Sequence, residues 1–112
     1  MRQLQRTMLA FEQHEDADII RITGDVDITC KPQLNGLLQS LEGARRAIVD
    51  LSECTYMDST MLNALYAVNR LRGATLWVVL PTDANARRVI HLTNLDERLR
   101  IAPSVSTVLG HI

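Results

Sequence analysis

Aromatic residues make up only 4% of the 112-residue sequence: one tryptophan, two tyrosines and one phenylalanine. A chain so poor in flat side chains has little on which bases can stack, which argues against single-stranded nucleic acid as a ligand. Charge of one sign is lacking too. Lys+Arg total 12 against 13 Asp+Glu, a formal net charge of -1, and no long run carries one sign, so neither a nucleic-acid groove nor an anionic membrane surface is indicated. Met1-Arg2-Gln3-Leu4-Gln5-Arg6 is followed by no continuous apolar segment of signal-peptide or membrane-spanning character. That pattern predicts a cytoplasmic protein without membrane insertion. Cysteine is limited to Cys30 and Cys54, without the CxxC spacing of a metal or redox site. They read as small buried residues rather than as a disulfide scaffold or metal ligands.

Catalytic signatures are missing as well. Ser59, with Asp27 or Asp58 and one of His14, His91 or His111, would nominally compose a hydrolase triad. There is no GxSxG elbow to present the serine and no histidine tied locally to it, and a glycine-rich phosphate loop of Walker type is absent. No catalytic residue, cofactor or metal site is therefore expected. Neither internal repeats nor a low-complexity linker divide the chain, and its length suits one domain, residues 1–112, with one modest core.

What is present is an alternation of strand and helix patterns. Met8–Glu12 and Asp18–Gly24 read as strands of a hairpin across a polar turn. Thr29–Leu41 carries Leu34, Leu37, Leu38 and Leu41 at helical spacing, with Pro32 tolerable in the first turn. The apolar run Ala44–Leu51 predicts an interior strand. A helix from Ser59 presents Leu62, Leu65, Val68 and Leu71 or Ala64 on one face and closes at Gly73. Thr75–Leu80 is the strongest strand pattern. Beyond Pro81, a helix from about Ala84 to Thr93 has an inner face of Val89, Ile90 and Leu92, then Leu99–Ala102 reads as an edge strand and Ser104–Gly110 as a short helix. Strands separated by helices require crossovers, so the expected fold is α/β: a mixed sheet of four to five strands with about four helices packed mainly on one side.

The segment from Val49 to Leu65 is the most informative, since it passes from a buried strand through an acidic loop that includes Cys54 into a helix at Ser59. A hydroxyl at that position can cap free backbone N–H groups, and a phosphate there would meet the positive end of the helix dipole. Thr60 supplies a second hydroxyl that can cap the same helix start.

Two segments together resemble the STAS domain family, in particular its small free-standing members, the anti-sigma factor antagonists. One is Arg21-Ile22-Thr23-Gly24-Asp25-Val26-Asp27 followed by a helix. The other is Val49-Asp50-Leu51-Ser52, then Tyr56-Met57-Asp58-Ser59-Thr60, with Leu62 and Leu65 beyond. The resemblance implies a STAS fold and a bacterial regulator of transcription whose partner is both serine kinase and anti-sigma factor. The unphosphorylated antagonist binds that partner and frees a sigma factor; phosphorylation of Ser59 breaks the complex, and a phosphatase restores it. It also implies a partner-binding surface of Asp27, Met57, Asp58, Thr60 and Met61 around Ser59. Met61 stands where the family motif continues with glycine and Asn63 where a smaller residue follows, so a thioether is expected on the contact surface. Small STAS proteins also resemble accessory subunits of transport ATPases and parts of larger signalling assemblies, in which the serine-bearing helix is only a docking surface.

Overall fold

The computed structural model describes residues 7–41, 45–72 and 75–110, apart from the side chains of Leu71 and Arg72. β1 (Met8–Gln13) and β2 (Ala17–Val26) form the expected hairpin, antiparallel with Met8 opposite Thr23 and Gln13 opposite Asp18. A 3-10 turn, Ile28–Cys30, leads into α1 (Lys31–Gln39). β3 (Arg46–Asp50), β4 (Cys54–Met57), α2 (Ser59–Arg72), β5 (Leu76–Val79), α3 (Ala84–Leu92), β6 (Ile101–Ala102) and α4 (Val105–Leu109) follow. The sheet has six strands: five in the order β1-β2-β3-β5-β6, with β4 paired to the end of β2 off this path, and every pairing except the hairpin is parallel.

The alternation of β2 shows how the sheet divides the core. Ile20, Ile22 and Val26 face α1, α2 and α3, whose Leu34, Met61, Leu65, Ala86 and Ile90 are buried against them. Ala17 and Ile19 join Ile48, Val79 and Ala102 on the other face beneath Val108 of α4. Three helices on one face and a short one on the other agree with the expected layering. Leu34 is fully buried, Leu37 and Leu38 pack partly, and Leu41 reaches the core from beyond the end of α1. Arg46 donates to the carbonyl of Val108 at 2.9 Å, satisfying an orphan acceptor at the end of α4. On the α4 side of the sheet Arg21 links Glu12 (3.1 Å) to the buried Asp50 (2.8 Å) across three strands. The hydrogen bond from Arg21 holds the Glu12 carboxyl below its ordinary range, with a smaller contribution from His14.

Several elements depart from the sequence reading. The sheet gains a sixth strand because Cys54–Met57, read as loop, pairs with the end of β2. β2 does not close at Gly24: it continues to Val26 through a register shift between Gly24 and Asp25, and Gly24 adopts φ 84, where a side chain would be strained. Leu92 is 66% exposed rather than inward, because α3 ends there and Asn94, at φ 59, turns the chain. The expected helix end at Gly73, the start of the third strand at Ala44 and the tail His111 lie outside the described residues.

Candidate functional site

Two strand ends and two helix beginnings converge at one end of the sheet. Val26 pairs with Met57 in the parallel β2–β4 ladder, so the next residues of the two strands, Asp27 and Asp58, leave the sheet side by side. The pairing is braced from below by Asp25, which is buried and whose carboxylate accepts from the Thr55 hydroxyl at 2.6 Å. The Thr7 hydroxyl also donates to the Asp25 carbonyl.

Each aspartate then starts a helix. Asp27 is extended at φ -137, and its carboxylate accepts from the Thr29 N–H at 2.9 Å and the Thr29 hydroxyl at 2.5 Å, capping the 3-10 turn before α1. Asp58 accepts from the Thr60 N–H at 2.8 Å while its carbonyl takes the Leu62 N–H at 3.3 Å. Asp58 is therefore the cap of α2. The expectation that Ser59 or Thr60 fills this role is corrected: Ser59 is already the first helical residue, one position too late to receive the free N–H groups. Its hydroxyl is exposed and makes no hydrogen bond among the described residues.

Met57 and Met61 do not share that surface. They are 2% and 0% exposed and pack in the core beneath α2 with Leu65. The reading of these two methionines as contact residues is corrected by their burial. Ser59 faces exposed residues of the 3-10 turn and of α1 as well as its own helix. A groove of about 280 Å³ between α1 and α2 is lined by Ile28, Lys31, Asn35, Ser59, Thr60 and Asn63 among others, and it continues along Leu38 and Val68. Ile28, 68% exposed, and Lys31 were missed from sequence; an isoleucine directly after a capping aspartate, off the apolar face of the following helix, is the signal that would have marked the first.

Among the described residues the nominal triad does not assemble. His14 lies in the hairpin turn at the opposite end of β2, about 30 Å of strand from Ser59 at ~3.3 Å per residue. His91 is exposed on α3 and contacts Asp96 at 3.1 Å. Cys30 and Cys54 are both buried thiols, and the Cys54 thiol donates to the Tyr56 carbonyl at 3.3 Å. No helix among the described residues is long and apolar enough to cross a membrane.

Loss of the Asp58 cap has a measurable cost: Asp58→Ala is expected to destabilise the domain by about 1 kcal/mol, with Asp58→Asn losing less than half of that. Denaturant melts of both variants check this. An unchanged midpoint in Asp58→Ala would return the capping role to the hydroxyls.

Residues 9–103 match the family model of the Mlab, STAS domain, a span that takes in all six strands except the first residue of β1. The chain belongs to the STAS domain family. Its fold is shared with an anti-sigma factor antagonist from Mycobacterium paratuberculosis, at a TM-score of 0.75 and 22% identity over 93% of this chain and 92% of that one. It is likewise similar to the anti-sigma factor antagonist SpoIIAA in its unphosphorylated form, with a TM-score of 0.69 and 16% identity over 90% of this chain and 93% of that one. The protein TM1081 gives a TM-score of 0.69 at 18% identity over 99% and 93% of the respective chains. At these identities the likeness establishes the STAS fold.

Proposed function

We propose that this STAS domain is an anti-sigma factor antagonist controlled by phosphorylation of Ser59. It binds an anti-sigma factor that is also a serine kinase, and a sigma factor is thereby released. The Ser59 hydroxyl then takes the terminal phosphoryl group of ATP held by that kinase, giving up its proton as ADP leaves, and the complex parts until a phosphatase removes the phosphate. The proposed role is binding and exchange of partners in the cytoplasm, with no catalysis by this chain.

The observation that carries the reading is the state of Ser59: an exposed, uncommitted hydroxyl on the first turn of a 14-residue helix, flanked by the capping carboxylate of Asp58. A phosphate there adds close to two negative charges, which the helix N-terminus tolerates internally while the neighbouring Asp27 and Asp58 make the outer surface strongly anionic. The domain can thus stay folded while its contact surface becomes markedly more negative. Asp27, Asp58 and Thr60 remain on the proposed contact surface.

Affinity capture from host lysate with wild type, Ser59→Ala and Ser59→Asp tests it, with mass spectrometry of the partners and of the Ser59 peptide. Wild type and Ser59→Ala are expected to retain an ATP-binding anti-sigma kinase that Ser59→Asp loses. In a second reading, a docking subunit of a transport ATPase or larger signalling assembly, the exposed groove between α1 and α2 is a docking surface and Ser59 stays unmodified. Equal recovery of a transport ATPase by all three baits, with Ser59 unmodified, would replace the switch by that reading.

A further inference from the structure

We propose that Lys31 is the counter-ion of a phosphoryl group on Ser59, so that modification closes an ion pair across the α1–α2 groove and withdraws its cation from the partner. The inference rests on the phosphorylation of Ser59 proposed above and deepens it. Lys31 is the one lysine of the sequence, is exposed, and lines the same groove as Ser59 and Thr60. Its ammonium makes no ion pair among the described residues.

Its position argues for an anion. Lys31 is the first residue of α1, where a cation opposes the helix dipole, and no acidic residue stands in that first turn to offset it. The two nearby carboxylates are already engaged at their own caps, Asp27 with Thr29 and Asp58 with Thr60. A dianion placed on Ser59 supplies what the position lacks. The four-carbon stem of lysine lets its charge swing across the groove without moving the helix. The pair also sets the charge that a partner meets: Lys31 is available to an acidic group while Ser59 bears a hydroxyl, and is occupied once it bears a phosphate.

The test installs phosphoserine at position 59 during translation and follows the phosphate by phosphorus NMR through its second ionisation, near pH ~6 in a free phosphoserine. A neighbouring cation favours the dianion, so Lys31→Gln is expected to raise the midpoint by about half a pH unit, and Lys31→Arg to keep it low. Arg87→Gln, on α3 outside this groove, controls for net charge and should leave it unmoved. Coincident midpoints for the lysine and glutamine forms, or an equal shift from Arg87→Gln, would overturn the proposal. Because the phosphate is placed without a kinase, a cell in which Ser59 is never modified would sink the proposed function while leaving this result legible on its own.

Discussion

Met61→Ala is expected to destabilise the domain by roughly 2–5 kcal/mol, the range for truncating a long buried side chain whose cavity closes only in part. Met61 is fully buried with Met57, Leu65 and Ile22, although it lies two residues from the proposed phosphoacceptor. Small domains hold about 5–15 kcal/mol in total, so the variant should sit close to the edge of folding. Met61→Leu, which conserves volume, should cost under about 1.5 kcal/mol. Urea unfolding monitored by circular dichroism decides, through the midpoint at an unchanged slope. A loss below about 0.5 kcal/mol, the usual effect of a surface substitution, would put the side chain back on the exterior.

On the proposed switch, Ser59→Asp should weaken the antagonist's complex with its anti-sigma factor about 100-fold, equivalent to ~2.7 kcal/mol. The introduced carboxylate joins Asp27 and Asp58, which leave the paired ends of β2 and β4 together. Like charges forced together where a partner excludes water cost several kcal/mol, and a single carboxylate delivers less than a phosphate dianion. Ser59→Ala should bind within about 2-fold of wild type, because the hydroxyl neither caps α2 nor holds a hydrogen bond among the described residues. Titration calorimetry at two salt concentrations checks the size and the origin of the effect. Raising salt shortens the Debye length from about 10 Å at 0.1 M to 3 Å at 1 M and should recover part of the lost affinity. Equal affinity for Ser59→Asp and wild type would reject the electrostatic switch.

Much of the architecture was legible in the chain because it is written locally. Leu34, Leu37 and Leu38 recur at the period of a helix, Ile20 and Ile22 alternate as on a half-covered strand, and Leu76–Val79 is a short β-rich run before a proline. β4 escaped because four residues that begin with cysteine and threonine carry no clear alternation; they are a strand only because the end of β2 is there to pair with them. Leu92 escaped for a similar reason, since periodicity assigns it an inner position but the helix stops there.

At the site, sequence supplied the residue types around Ser59 and the helix that follows. It did not distinguish a cap at Asp58 from one at Ser59, because the two differ by one residue and either side chain can accept a backbone N–H. The inward aim of Met57 and Met61, the pairing of Asp27 with Asp58 at neighbouring strand ends, and the groove that joins Lys31 to Ser59 are relations between segments about 30 residues apart in the chain. By itself the sequence determined the helices, most of the strands and the STAS resemblance, since side-chain periodicity and motif spacing act over a few turns of chain. Only the tertiary structure decided which atoms face solvent and which charges meet, because burial and electrostatic contact depend on distance through space.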